Sequence, residues 1–353
     1  MLAWWMSNKS LRLSVLDQAP ISTGSTGAQA LHNSLDLAHL AESLGYHRYW
    51  VAEHHGTPML ACASPEALIG PIAATTSRMR VGSGGVMLPH YSPLKVAETF
   101  SMFAGLFPDR IDLGVGRAAG TDPTTTFALQ RDRRQANPDD FPAQLEELLA
   151  YLDGSLPAGH PFARLAALPG GPERPDPWLL GSSPQSGVWA AELGLPYAFA
   201  DFINPSGAEI AKRYRQSFRP SPSARAPEVI AAVWAVCAET DAEAERLASS
   251  ADMAFALLQS GRLIPVPPVE EALRFLEEER ARPRFFSRPR RRIVGSPATV
   301  RAGIEAAAEE YTADEMMVVT ITYEHAARRR SYELIAEEFG LIASASSGAA
   351  MAS

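Results

Sequence analysis

The sequence predicts an α/β protein, a (β/α)8 TIM barrel with long insertions after strands 4 and 7. Eight runs rich in β-branched and aromatic residues alternate with helical patterns along the chain. Such alternation favours right-handed crossovers and a parallel sheet, and eight units are the number that closes a barrel. The 353 residues, 46% of them hydrophobic, supply enough apolar material for one large core. An open doubly wound sheet is the alternative arrangement.

Each predicted strand is a short apolar run that ends beside polar or small residues. The eight runs cover residues 11–17, 47–53, 79–88, 110–116, 177–181, 195–201, 228–239 and 315–322. Active sites of TIM barrels lie where the strands end, so the residues at those ends are the candidates for chemistry. They are Asp17, Gln18, Glu53, His54, His55, Gly84, Gly85, Arg117, Gly181, Ser182, Ser183, Asp201, Glu239, Thr322 and Tyr323.

Helix starts are predicted where a serine precedes a proline, because the serine can cap the first turn and proline suits its first position. Three such pairs are Ser64–Pro65, Ser92–Pro93 and Ser296–Pro297. Thr240 with Glu243 forms a capping box at a fourth start. Pro71 is expected to kink the helix that begins near Ser64.

The chain is predicted to form one domain over residues 1–342, with the barrel strands between 10 and 322. The composition of residues 343–353 predicts a disordered tail. Two segments are longer than barrel connections require, 118–140 after the fourth strand and 260–292 before the last one. The second is interpreted as a possible lid, and its Arg-rich part, 280–292, either as a solvated surface or as a contact for an anionic ligand.

Composition disfavours several other classes of protein. The formal net charge of −8 argues against a nucleic-acid binder. Two distant cysteines suggest neither a disulfide framework nor a zinc site, and they favour a reducing, cytoplasmic location. No run approaches the roughly 18 apolar residues that span a bilayer. The first ten residues make a poor secretory signal, and Met1 and Met6 are both candidate starts.

The EHH motif at 53–55 contains residue types that bind metals, but adjacent strand residues point to opposite faces and do not converge on one ion. No metal is therefore expected. A single histidine at a strand end can act as a general base near neutral pH. The alternative is a histidine that only satisfies backbone groups of its loop.

The segment GSSPQSG, residues 181–187, follows a strand and opens a helix. Free amides at the helix start, with the hydroxyls of Ser182, Ser183 and Ser186, form a plausible phosphate cradle. Arg117 at the end of the fourth strand is a candidate positive charge for that anion, with a surface ion pair as its alternative. The glycine spacing of residues 114–120 does not match a dinucleotide-binding fingerprint.

Gly84 and Gly85 interrupt the third strand, where glycine loses packing and adds a backbone entropy cost. From these residues alone, a β-bulge explains the pair.

Six longer motifs follow one another through most of the chain. They are YWVAEHH (49–55), RVGSGGVMLPHYSPLKVAE (80–98), FPDRIDLGVGRAAGTD (107–122), GSSPQSGVWAAELGLPYAFA (181–200), VGSPATVRAGIEA (294–306) and DEMMVVT (314–320). With these motifs in this order, the chain resembles the bacterial luciferase-like flavin monooxygenases.

The resemblance implies a TIM barrel that binds FMN noncovalently, usually as reduced flavin delivered by a separate NAD(P)H-flavin reductase. It implies that the reduced flavin reacts with O2 to a flavin hydroperoxide, which oxygenates an organic substrate. In the family the first histidine of EHH acts in acid–base catalysis beside the flavin, a role that carries to His54. The residues that would bind FMN phosphate carry to Arg117, Gly181, Ser182, Ser183 and Ser186.

The same resemblance implies a non-prolyl cis peptide near the flavin ring, which falls at Gly84 and Gly85, and a homodimer. Two departures stand out. Luciferase has a reactive cysteine where this chain has Gly116 and an acidic residue where it has Ser182, so light emission is not expected.

The expected function is an FMN-dependent monooxygenase that acts on a small or medium apolar organic substrate, whose identity the sequence leaves open. Two alternatives remain. A related barrel lineage uses a deazaflavin coenzyme for hydride transfer, and some luciferase relatives are nonenzymatic flavin-binding proteins.

Overall fold

Eight parallel strands close into a barrel in the computed structural model, which describes residues 11–117, 122–130, 140–165, 167–280 and 291–341. The barrel strands are β1 (Arg12–Asp17), β2 (Arg48–Val51), β3 (Arg80–Met87), β4 (Ile111–Gly116), β5 (Asp176–Gly181), β6 (Tyr197–Ala200), β7 (Val229–Cys237) and β9 (Glu315–Val319). Each pairs with the next in chain order, and β9 pairs with both β7 and β1. The TIM-barrel prediction is therefore confirmed, and the open sheet is wrong.

A ninth strand was not predicted from the sequence. Strand β8 (Ile293–Gly295) pairs with β7 beyond the part of β7 that contacts β6 and β9. Three residues are too few to give a recognisable period, which explains why the pattern missed it.

Eleven helices surround the barrel within the described ranges. They are α1 (Gly27–Leu44), α2 (Pro65–Thr75), α3 (Pro93–Leu106), α4 (Pro123–Leu129), α5 (Phe141–Asp153), α6 (Pro184–Leu193), α7 (Ala208–Ser217), α8 (Asp241–Gln259), α9 (Val269–Arg280), α10 (Pro297–Tyr311) and α11 (His325–Phe339).

The four predicted helix starts are in place, but only one of them caps as expected. Thr240 accepts a hydrogen bond from the backbone N–H of Glu243 at 3.2 Å. Ser64, Ser92 and Ser296 occupy the N-cap positions without a side-chain capping bond to the helix. Each of these serines precedes a proline, which suits the first helical position. The proline, and not a serine cap, therefore explains why these three helices begin where predicted. Helix α2 continues through Pro71 to Thr75.

The core has two layers separated by the barrel wall. Alternate residues of β2 show the division: Tyr49 and Val51 pack outward against the helices, whereas Trp50 packs inside the barrel. The outer layer lies between strands and helices and contains most of the buried side chains. The inner layer runs from Trp50 and Trp178 up to the carboxyl ends of the strands and continues onto buried side chains of α8.

A buried ionic cluster fills the amino-terminal end of the barrel. The Arg48 guanidinium donates to Glu315 at 2.7 Å and to Asp112 at 2.8 Å, and all three side chains are at most 3% exposed. The same guanidinium lies over the Trp178 ring, 4.8 Å from its centroid. Asp112 accepts at both oxygens, from Arg48, Trp50 and Arg80, whereas Glu315 accepts at Oε1 alone and its buried Oε2 has no hydrogen-bond partner among the described residues. This cluster closes the barrel floor.

The two long segments contain helices of their own. Helix α4 lies in the first and helix α9 in the second. Residues 118–121, 131–139, 281–290 and 342–353 lie outside the described ranges, as do residues 1–10 and Ala166. The predictions for the disordered tail, for the chain start and for most of the Arg-rich run fall there.

Candidate active site

His54 follows β2 at the carboxyl end of the barrel, beyond Ala52 of the inner core layer. Its backbone N–H donates to the carbonyl of Cys62 at 2.9 Å, which holds the loop. Its side-chain Nδ1 is buried and has no hydrogen-bond partner among the described residues. Burial, and next the neighbouring His55, lower the pKa of His54 to about 4. At neutral pH it is therefore an uncharged imidazole with an unused polar atom.

The neighbouring Glu53 and His55 turn to each other instead of toward His54. Glu53 is fully buried, and its carboxylate pairs with Nε2 of His55 at 2.7 Å. Within the described residues, no group of three or more His, Cys, Asp and Glu side chains has a metal-binding arrangement.

Gly84 and Gly85 show two features at once. The peptide bond between them is cis, as the family resemblance implies, and the register between β3 and β4 shifts between Gly84 and Val86, as a bulge would require. Neither position has room for a side chain. A Cβ on Gly84 would lie 2.5 Å from Cδ1 of Leu16, and one on Gly85 would lie 2.7 Å from the carbonyl oxygen of Gly114.

The loop after β5 begins α6, as predicted. Ser183 is the N-cap, and its side chain accepts from the backbone N–H of Ser186 at 3.4 Å. Ser186 is buried, and its hydroxyl bonds to the Ser183 carbonyl at 2.8 Å and to the Tyr197 hydroxyl at 2.9 Å. Gly181 is required beneath it, since a Cβ there would lie 2.2 Å from the Ser186 oxygen. Ser186 thus anchors the loop from inside, whereas Ser182 and Ser183 are partly exposed.

Arg117 is exposed at the end of β4 and reaches the same helix. Its guanidinium lies over the Trp189 ring, 5.5 Å from the centroid. Trp189 is three residues after Ser186, about one helical turn. The structure therefore brings the predicted cation to the helix that carries the predicted phosphate cradle, in contact with its middle turn.

Asp17, Asp201 and Glu239 serve structural ion pairs. Asp17 is buried, which opposes its ionisation, but the Arg328 guanidinium at 2.6 Å lowers its pKa below the ordinary value. Burial raises the pKa of Asp201, although Arg291 at 3.1 Å opposes the rise. Glu239 pairs with Arg330 on the surface.

The described part of the Arg-rich run also pairs with the protein. Arg291 binds Asp201 and Glu310, while Arg292 binds Glu245 and Asp252. These two guanidiniums anchor the segment beside β6, α8 and α10. Residues 281–290 of the run lie outside the described ranges.

One feature of the barrel mouth was missed from the sequence. The loop after β1 runs between two other segments. The Ile21 N–H donates to the Met59 carbonyl at 2.7 Å, while the Thr23 N–H donates to the Val266 carbonyl and the Val266 N–H donates to the Ile21 carbonyl, both at 2.8 Å. Met59 and Val266 are buried in the inner core layer, together with partly buried Ile264. Contacts between loops over 200 residues apart have no local pattern, so sequence reasoning could not find this apolar rim.

The residues present suit a flavin mononucleotide. An uncharged imidazole with an unpartnered nitrogen, glycine backbone without room for side chains and an apolar wall suit a ring system with polar edges. A helix N-terminus beside an arginine suits a phosphate.

Within the described residues, no helix is long and apolar enough to cross a membrane.

The model of the luciferase-like monooxygenase family matches residues 11–315. A luciferase-like monooxygenase of Escherichia coli (strain K12) is 40% identical over 333 residues, 93% of this chain and 97% of that protein. The N-acetyl-S-alkylcysteine monooxygenase of Bacillus subtilis (strain 168) is 36% identical over 335 residues, 93% and 98% of the two chains. The solved structure of apo-MsnO8 is 43% identical, with a TM-score of 0.83 over 94% of this chain and 98% of that one.

Two solved structures at lower identity share the fold alone. The oxygenating constituent of 3,6-diketocamphane monooxygenase from Pseudomonas putida, solved with FMN, is 20% identical with a TM-score of 0.69, covering 94% and 98% of the two chains. An F420-dependent secondary alcohol dehydrogenase is 12% identical with a TM-score of 0.62, covering 94% and 99%.

Proposed function

The chain belongs to the luciferase-like monooxygenase family, and we propose that it uses reduced FMN and O2 to oxygenate a small or medium apolar organic substrate. One observation carries the proposal: at the mouth of the barrel the half-buried, uncharged His54 has a buried Nδ1 without a hydrogen-bond partner among the described residues. Such an atom is costly to keep buried unless a ligand satisfies it.

In this proposal the FMN phosphate binds at the start of α6. The backbone amides of the first turn and the hydroxyls of Ser182 and Ser183 would donate to its oxygens, and Arg117 would supply the positive charge. Gly181 and Ser186 shape the loop from beneath it. Gly84 and Gly85 would let the strand backbone lie against the ring.

FMN, when bound in its reduced form, would supply the electrons that activate O2, while the protein supplies position and exclusion of water. His54 would hold or move a proton at its Nδ1, because an imidazole with a pKa of about 4 is neutral at cellular pH and is able to accept one. The apolar layer around Met59, Ile264 and Val266 would keep water from that proton.

The same apolar layer supports the proposed class of substrate. Its side chains offer dispersion contacts and no charge, so an uncharged, largely apolar part of the substrate fits there. The Bacillus subtilis relative acts, by its name, on N-acetyl-S-alkylcysteine, so thioethers are the first substrates to try.

Three further proposals concern the protein's surroundings. A separate NAD(P)H-flavin reductase would deliver reduced FMN, and the protein would act as a homodimer, as the family resemblance implies. Its location would be the cytoplasm, which the two distant cysteines favour.

The test is an oxygenation assay with a coenzyme control. The purified protein is titrated with FMN and with deazaflavin F420, and is then incubated with chemically reduced FMN, ¹⁸O2 and a panel of thioethers, ketones and long-chain aldehydes. We expect FMN binding and one ¹⁸O atom in a product. Binding of F420 alone would favour hydride transfer instead, and FMN binding with no product from any panel member would favour a flavin-binding protein without enzymatic activity.

A further inference from the structure

A buried carboxylate, that of Glu53, lies at the barrel mouth, one residue before His54. The Glu53 side chain is 0% exposed, and its two oxygens take three donors. Oε1 pairs with Nε2 of His55 at 2.7 Å and accepts from the Tyr91 hydroxyl at 3.1 Å, while Oε2 accepts from the backbone N–H of Met87 at 2.9 Å.

These donors come from separate parts of the fold. His55 belongs to the loop after β2, Met87 is the last residue of β3, and Tyr91 precedes α3. The backbone carbonyl of Tyr91 in turn accepts from the Gln144 side chain of α5 at 3.4 Å. Glu53 therefore ties the histidine loop to the strand end that follows the two glycines.

We propose that Glu53 is the positioning residue of this site, on the premise that the proposed flavin function is right. Its carboxylate fixes the distance between two groups that would contact the flavin: the His54 imidazole and the Gly84–Gly85 backbone. On its other side His54 is held by the backbone bond to Cys62, and the later part of the loop is bonded through Met59 and Ala61 to the loop after β1. Without Glu53, the first residues of the histidine loop would lose their connection to the end of β3.

A carboxylate is the group that this arrangement requires. The Met87 amide and the Tyr91 hydroxyl present hydrogens, the His55 Nε2 lies at hydrogen-bond distance, and a carboxylate accepts at both oxygens. A glutamine of the same shape would keep one acceptor oxygen and place an NH2 group at the position of the other. Among the described residues, no lysine or arginine pairs with Glu53, so these three contacts hold its carboxylate in place.

The proposal is tested first on the protein without flavin. In Glu53→Leu, which removes both oxygens, we expect the Met87 amide to exchange its hydrogen about tenfold faster, because it loses its acceptor. Faster exchange is also expected at the His54 amide, because the start of the histidine loop loses its tie to the end of β3. The amides of β7, on the other side of the barrel, should be unchanged. Glu309→Leu, at an exposed glutamate of α10, is the matched control.

The second measurement adds FMN as the probe. We expect the visible circular dichroism of bound FMN to change in Glu53→Gln while its Kd changes less than about threefold, and kcat on the best panel substrate to fall about 100-fold, as for a small misplacement. Glu53→Asp, which keeps the carboxylate, should recover part of kcat.

Unchanged exchange at Met87, or an unchanged FMN spectrum and kcat, would overturn the positioning role. If Glu53→Gln does not fold, Tyr91→Phe removes one of the three donors and keeps the carboxylate. It should then lower kcat several-fold at an unchanged Tm, and a wild-type kcat would count against the proposal. Failure of the wild-type protein to bind FMN would instead refute the proposed function and leave the exchange result standing.

Discussion

The guanidinium of Arg117 lies over the indole ring of Trp189, 5.5 Å from its centroid. One residue follows β4 and the other belongs to α6, so this contact joins two neighbouring βα units at the carboxyl end of the barrel. It holds a positive charge against the middle turn of α6, the helix whose N-terminus would favour an anion.

Replacing that charge should weaken phosphate binding selectively. In Arg117→Gln we expect the Kd for FMN to rise at least about tenfold, the loss expected for one charge-assisted hydrogen bond. Riboflavin, which has the same ring system and no phosphate, should bind both proteins equally. Fluorescence quenching of each flavin measures the two constants. Arg213→Gln, at an exposed arginine of α7, controls for the change in net charge. Equal losses for FMN and riboflavin would show that Arg117 acts on the ring or on the fold.

Replacing His54 should lower catalytic activity strongly and leave FMN binding nearly unchanged. We expect His54→Ala to lower substrate-dependent O2 consumption by about 10²- to 10⁴-fold, the range for loss of a general acid or base. The Kd for FMN should stay within a few-fold of wild type, because the phosphate contacts remain. Oxygen-electrode kinetics and flavin titration give the two quantities. Unchanged O2 consumption would make the catalytic role of His54 wrong.

The pH dependence of stability should also report on His54. Its pKa is about 4 in the folded protein and 6.5 when unfolded, so the unfolded chain takes up the proton first as pH falls. Wild type should therefore lose up to about 3 kcal/mol between pH 6.5 and pH 4 through this group. The His54→Gln variant has no titrating group at this position. Between pH 6.5 and pH 4 its unfolding free energy in urea should therefore fall by about 3 kcal/mol less than that of wild type. Parallel curves for the two proteins would show that His54 is not held uncharged.

The two central glycines should differ in their tolerance of a methyl group. At Gly85 a Cβ would meet backbone, 2.7 Å from the Gly114 oxygen, whereas at Gly84 it would meet the flexible end of Leu16 at 2.5 Å. Gly85→Ala is therefore expected to cost about 1–3 kcal/mol, and more than Gly84→Ala. Gly159→Ala, where no atom lies within 4 Å, is the control. Urea unfolding compares the three, and a smaller loss for Gly85→Ala than for Gly84→Ala would contradict the steric argument.

Removing the cation of the barrel floor should destabilise the protein strongly. Arg48→Met leaves Asp112 and Glu315 as buried carboxylates without their main partner. We expect a loss of about 3–5 kcal/mol in unfolding free energy at pH 7. Thermal and urea unfolding measure it. Arg301→Met, at a half-exposed arginine of α10, should cost less than about 1 kcal/mol. A similar small loss for Arg48→Met would mean that the floor does not depend on this charge.

The sequence predicted the barrel because its cues are local. The eight barrel strands and the helix starts at Pro65, Pro93, Asp241 and Pro297 lie at or within three residues of their predicted positions. Periodicity, prolines and capping residues act over a few positions and survive in any tertiary context. Helices α4, α7, α9 and α11 were not predicted: α4 has only seven residues, and α7 and α9 have strongly polar composition.

The sequence predicted where the residues of the candidate site lie, but not most of the contacts that hold them. His54, Gly84, Gly85 and Arg117 lie at the mouth as expected. Tertiary packing determines three of its contacts: the hydrogen bonds of Ser186, the contacts of Glu53 and the Ile21–Met59 bond. No local sequence pattern predicts them.

The ionic cluster at the barrel floor also determines from which end a molecule reaches the inner layer. With Arg48 stacked on Trp178 and bound to Asp112 and Glu315, the amino-terminal end of the described barrel is a closed end. Any molecule that reaches the inner layer must enter and leave through the same opening. A coenzyme and a substrate that both occupy that space would have to arrive in a fixed order, the deeper one first, and the product would have to leave before the coenzyme is exchanged.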